Sequence, residues 1–126
     1  MTAKIILQHV ALNCKDKIKA DIFFTKILDL KLQKTSSLTS ELSEKIFGTF
    51  KQVDVIVYSD NFTIFEIFLT QNEVKHNFEH VCIKVKNKKE FIIKCENYGL
   101  KPFKINKGEK QLLFVKDFSG NLFEII

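Results

Sequence analysis

Apolar and polar side chains alternate along most of this chain, and the order of elements they predict occurs twice. From residue 5 to 13, Ile6, Val10 and Leu12 take one side of a strand, with Leu7, His9, Ala11 and Asn13 on the other. Asp16 then opens a helix. Its Ala20, Phe23, Phe24, Ile27 and Leu28 follow the i, i+3, i+4, i+7, i+8 spacing of one buried face, and Asp29-Leu30 ends it. Lys31 to Thr35 returns as a strand. Residues 36–48 stay open between a loop, which Ser36, Ser37 and Ser40 favour, and a short helix at Glu41 to Phe47. Alternation resumes after Thr49, with Val53, Val55 and Val57 opposed to Asp54, Ile56 and Tyr58. A turn at Asp60-Asn61 leads to a strand from Phe62 to Leu69, and Gln71 to Asn77, which includes His76, reads as a solvated polar connector.

The second half repeats the order. Phe78 to Lys86 is a strand, and Asn87 with Glu90 three residues on reads as a helix start. Phe91, Ile92, Cys95 and Tyr98 turn inward from that helix, and Gly99 stands just past its end. Strands follow at Lys101–Asn106, at Gln111–Lys116 after the Lys107-Gly108 turn, and at Asn121–Ile126. Each half therefore reads strand, helix, strand, strand, strand. The expected class is α+β, one domain over residues 1–126 with modules at about 5–70 and 78–126. The step from His9 to His80 exceeds that from Glu66 to Glu124 by about the length of the 36–48 segment, which reads as an insertion in the first copy.

Two carboxylates interrupt apolar strands, in Phe65-Glu66-Ile67 and in Phe123-Glu124-Ile125. A lone buried carboxylate costs several kcal/mol, so each needs a partner. Gln8-His9-Val10 and Glu79-His80-Val81 offer a matching pair of imidazoles. With the more apolar alternate of each strand under its helix, His9, Glu66, His80 and Glu124 fall on the opposite faces, together with Cys82. Tyr58, Phe68 and Lys84 join them as candidate pocket residues by parity. A slip of one residue would reverse any of these assignments. Two imidazoles and two carboxylates suit a borderline divalent ion such as Zn, Ni, Co, Mn or Fe.

Composition narrows the function class. Apolar residues at 45% and charged ones at 28% describe a globular chain. The net charge is +5, but all 20 basic residues are Lys and they are scattered, so no Arg fork addresses guanine or phosphate and nucleic acid is not an expected partner. No apolar run nears the roughly 18 residues of a membrane span, and Met1-Thr2-Ala3-Lys4 lacks a signal-peptide pattern. A cytoplasmic location without membrane association is expected. Cys14, Cys82 and Cys95, an odd set without close pairing, are expected as free thiols.

The ordered set of motifs resembles the vicinal oxygen chelate superfamily, the glyoxalase/bleomycin resistance protein/dioxygenase group. It runs from His9-Val10-Ala11-Leu12, through a helix with Phe23-Phe24 and Leu28-Asp29-Leu30, to His80-Val81-x-Ile83-x-Val85, Gly99-Leu100 and Asp117-x-x-Gly120-Asn121-x-x-Glu124. The resemblance covers nearly the whole chain. It implies two βαβββ modules whose curved mixed sheets surround a concave pocket, with helices outside. It also implies His9, Glu66, His80 and Glu124 as metal ligands, Glu66 or Glu124 as catalytic base, a small oxygenated substrate and a homodimer. The activity so implied is metal-assisted proton transfer of lyase or isomerase type. An alternative within the same resemblance is a metal-free, drug-sequestering protein of the bleomycin-resistance type. Glyoxalase I holds glutathione with Arg and Asn side chains. This chain has no Arg, and Asn13 and Thr70 stand at the corresponding places four residues after His9 and Glu66, so no branch is singled out.

Overall fold

Side chains that start and stop each element explain most of the local structure. In the computed structural model, which describes residues 4–75 and 77–126, Asp16 caps α1 (Lys17–Asp21) by accepting from the Lys19 N–H at 3.0 Å. The helix continues as a π-helical stretch, Ile22–Ile27, in which the Leu28 N–H reaches the Phe23 carbonyl at 3.0 Å. The Thr25 hydroxyl takes the Asp21 carbonyl at 2.5 Å, competing with the ordinary helical ladder at the junction. Expectations resting on Met1 to Ala3 and on His76 lie outside the described residues.

The chain divides into two units, Met1–Asn72 and Glu73–Ile126. In the first, β1 (Val10–Cys14), β2 (Lys31–Leu38), β3 (Val53–Ser59) and β4 (Ile64–Leu69) form a sheet in the order β1-β4-β3-β2. β1 and β4 are parallel and the other pairs antiparallel. In the second, β5 (Val81–Ile83), α3 (Lys88–Asn97), β6 (Phe103–Lys107), β7 (Lys110–Lys116) and β8 (Leu122–Ile125) repeat the plan, with sheet order β5-β8-β7-β6 and β5 parallel to β8. The α+β repeat read from the sequence is thus the observed architecture.

Each unit builds its core between helix and sheet. Phe23, Phe24 and Ile27 pack with Ile56, Tyr58, Phe65 and Ile67, all at most 2% exposed. Phe24 stacks on Tyr58 with centroids 5.0 Å apart. Burying an aromatic side chain of this kind contributes about 1.5–3 kcal/mol. In the second unit Phe91 and Cys95 of α3 are buried, as are Leu113, Val115, Phe123 and Ile125 of the sheet. The Asp117–Asn121 turn is tied by its own side chains. Asp117 Oδ1 accepts from the Ser119 and Asn121 N–H groups at 2.9 and 2.8 Å, and Asn121 Nδ2 donates to Asp117 Oδ2 at 2.9 Å.

Several expectations need correction. Tyr58 does not line the Glu66 face. It pairs with Phe65, sits wholly in the core, and donates from its hydroxyl to Asp21 at 2.5 Å. Burial first, and then that bond, raise its pKa far above the ordinary value. The 5–13 strand is only Val10–Cys14, because its ladder partner β4 begins at Ile64, so Ile6 is exposed instead of helix-facing. The 78–86 strand shrinks to Val81–Ile83, the length that the four-residue β8 can pair. Tyr98, at the C-cap of α3, is largely exposed. The open 36–48 segment resolves into the end of β2 and a helix, α2 (Ser40–Phe47), capped by the Thr39 hydroxyl and ended by Gly48 at φ 72°. No described helix is long and apolar enough to cross a membrane.

Candidate functional site

Strand register decides which side chains share a face. Ala11 pairs with Glu66 and Leu12 with Ile67, so His9, Ala11, Asn13, Glu66 and Phe68 all project away from the first core. Cys82 pairs with Glu124 and Ile83 with Ile125, so His80, Cys82 and Glu124 project away from the second. In both units the His stands two residues before the partner of the Glu. His9 Nε2 lies 3.8 Å from Glu66 Oε2, and His80 Nε2 lies 3.5 Å from Glu124 Oε1. His80 Nδ1 is 2.8 Å from the Phe78 carbonyl, which only accepts, so Nδ1 carries a proton there and Nε2 is the ring nitrogen turned to Glu124.

These separations are long for a hydrogen bond. Donors about 2.1 Å from an ion stand about 3.0 Å apart at a right angle and about 3.4 Å apart at a tetrahedral angle, so the 3.5 Å pair matches the tetrahedral span and the 3.8 Å pair is wider than either. The glutamates are 30% and 23% exposed, the imidazoles 42%, so both pairs are reachable from solvent. Each pair offers one imidazole and one carboxylate, donor types that suit a divalent cation. Among the described residues no three or more His, Cys, Asp or Glu gather where they could hold a metal ion, so the structure shows two separate pairs, His9 with Glu66 and His80 with Glu124. Beside Glu124, the exposed Cys82 has its thiol pKa raised, by partial desolvation first and by the Glu124 carboxylate second. Lys84 is exposed, one residue beyond the end of β5.

The first unit has a feature the sequence reading missed. A cavity of about 730 Å³ lies between α2 and the sheet, bounded by Asn13, Ser43, Phe47, Lys51, Phe68 and Thr70 among others. Ser43 is buried on the sheet side of α2, and Phe47, one helical turn on, touches Phe68 while staying exposed, as Leu42 and Ile46 of the same helix also are. A small residue at the middle of the inward face leaves the space open. That inversion of the usual pattern was the signal in the sequence.

Comparison with known proteins bears on the fold. No family model and no curated protein sequence matches the chain. Among solved structures, it is similar to the genomically encoded fosfomycin resistance protein FosX from Listeria monocytogenes (18% identity, TM-score 0.73, covering 94% of this chain and 90% of that one). It is also similar to glyoxalase family proteins from Enterococcus faecalis (17%, TM-score 0.70, 95% of each chain) and Bacillus cereus (16%, TM-score 0.72, 99% of this chain and 97% of that one). A mutant of the Listeria protein was crystallised with Mn(II) and 1S,2S-dihydroxypropylphosphonic acid. The fold is that of the glyoxalase and FosX proteins, the vicinal oxygen chelate fold.

Proposed function

We propose that this protein is a glyoxalase-like metalloenzyme that catalyses proton transfer, of lyase or isomerase type, on a small oxygenated metabolite. The observation that carries the reading is the repeated His–Glu pair, 3.8 Å apart in one unit and 3.5 Å in the other, at the same register position of the same sheet order. His9, Glu66, His80 and Glu124 are the proposed ligands, two imidazoles and two carboxylates of the kind that suits a divalent ion. When bound, such an ion supplies Lewis-acid stabilisation of a developing oxyanion. The similarity to a protein crystallised with Mn(II) supports a divalent ion.

The chain's own groups then hold and move the proton. Glu66 meets its His through Oε2 and Glu124 through Oε1, so each keeps its other oxygen for a substrate proton. Nδ1 of His80, held on the Phe78 carbonyl, fixes the ring so that the pair geometry persists. The homodimer implied by the resemblance belongs to this reading, and light scattering tests it.

Metal analysis of gently purified protein tests the core of it. Wild type should carry tightly held divalent ion, and His9→Ala and His80→Ala should each lower its metal content. No uptake at all would remove the mechanism. The cavity lined by Phe47 and Phe68 favours one other reading, a metal-free binder of apolar ligands. Thermal stabilisation by an aromatic ligand, undiminished by chelator and without any metal uptake, would select it.

A further inference from the structure

We infer that the cavity under α2 binds the carboxylate end of a small organic acid with an aromatic or branched apolar body. The cavity stands on the first unit alone. Only the statement that its occupant is the substrate rests on the metalloenzyme reading.

Three observations point to this ligand. Ser43 is 3% exposed, and its Oγ has no hydrogen-bond partner among the described residues although it lines an open cavity. Buried hydroxyls are nearly always satisfied, so an orphan on a residue that lines a cavity asks for a polar atom from outside the chain, which a turn of the Ser43 side chain would let it meet. Next, Lys51 is the charged residue of the lining, and no Asp or Glu lines the cavity among the described residues. Amide and hydroxyl groups from Asn13, Thr49 and Thr70 add hydrogen-bonding capacity. A carboxylate satisfies an ammonium and a hydroxyl donor together, whereas a cationic ligand would meet like charge. Finally, Phe47 meets Phe68 edge-to-face with centroids 5.4 Å apart, and with Val53, on the same sheet face as Phe68, they offer an apolar wall.

Register gives the length of the ligand. Phe68 and Thr70 lie two and four residues beyond Glu66 along the same face of the sheet, as Ala11 and Asn13 do beyond His9. At about 3.3 Å per residue the apolar wall begins about 7 Å from the His9–Glu66 pair, and the polar end lies about 13 Å away. A substrate whose acid group sits near Lys51 would thus present its reacting oxygens at the other end of a short chain.

A titration of the full chain with phenylacetate, followed by ¹⁵N amide shifts, tests the proposal, with phenylacetamide as the uncharged control. Phenylacetate should bind saturably to metal-free protein and move the amides of Ser43, Phe47, Lys51 and Thr70. Phenylacetamide should bind about tenfold or more weakly, as should phenylacetate to Lys51→Met, each comparison removing one charge-assisted contact. Ser43→Leu, which fills the cavity, should abolish binding while keeping a dispersed spectrum. Equal affinity for the two probes, shifts centred elsewhere, or undiminished binding by Ser43→Leu would overturn the proposal. Metal content, measured separately, separates the readings. Phenylacetate binding in a protein that takes up no metal leaves this site and removes the enzyme reading. Metal uptake without phenylacetate binding does the reverse.

Discussion

Replacing Ser43 by Ala should make the free protein more stable. The hydroxyl of Ser43 is buried without a partner among the described residues. Leaving such a group unpaired costs about 1–3 kcal/mol, and Ala is the better helix former by about half a kcal/mol. Ser43 lies inside α2, away from both caps, so no capping role is lost. Against this, removing one atom enlarges a void by about one small group, worth about half a kcal/mol at the usual cavity coefficient. The sum favours Ala by about 1–3 kcal/mol. For a unit of this size each kcal/mol raises the melting temperature by roughly 4–8 °C. Urea unfolding followed by circular dichroism gives the difference, provided the m-value is unchanged between the two proteins. The same variant should bind phenylacetate more weakly, so stability and binding move in opposite directions. A Ser43→Ala protein that is no more stable than wild type would show that the hydroxyl is satisfied, and the argument for a missing ligand would fail with it.

Two further predictions concern the first unit. Tyr58→Phe keeps the stack on Phe24 but removes the bond to Asp21, and should cost about 1–2 kcal/mol in chemical denaturation. Asp21 keeps its ion pair with Lys17 at 2.9 Å, so the carboxylate is not stranded, and an unchanged midpoint would show that the buried hydroxyl contributes nothing. The Asp60 carboxyl is held below its ordinary pKa by the Thr63 N–H first and the Phe62 N–H second. A depressed carboxyl pKa contributes stability that is present above the unfolded value near pH 4 and is lost as pH falls through the folded one. Because the group is exposed, the effect should be a fraction of a kcal/mol. It should appear as a flatter stability curve below pH 4 for Asp60→Asn, and identical curves would refute it.

How far the sequence could be read depended on how strongly each residue was constrained. Capping and turn chemistry at Asp16, Asn87, Asp60 and Gly99 was legible because it is local, a side chain answering a backbone group a few residues away. The His–Glu parity was legible because an apolar helix-facing alternate fixes the other alternate by exclusion. Tyr58 was misread for a related reason. Alternation in β3 offered two apolar sets, Val53-Val55-Val57 and Ile56-Tyr58, and only the ladder with Phe65 and Ile67 decides which one meets the helix. The ends of β1 and β5 depended on where their partners begin, and local propensity carries no record of that.

The difference between the two units bears on how recognition is built. Both carry a His–Glu pair at the same register on the same sheet order, so whatever chemistry the pairs perform is duplicated in the fold. The helix α2, by contrast, lies in the segment that reads as an insertion in the first copy, between β2 and β3. The corresponding strands of the second unit, β6 and β7, are joined by the tight turn at Gly108, with φ 61°. A sheet face that carries a His–Glu pair is polar and open. Covering part of it with a helix that presents Ser43 and Phe47, instead of its own Leu42 and Ile46, converts that part into a cavity that is apolar on its walls and unsatisfied at one point. Leu42 or Ile46 turned inward would have filled the space and stabilised the unit by the usual burial terms. Their outward placement gives up that burial and leaves room between α2 and the sheet.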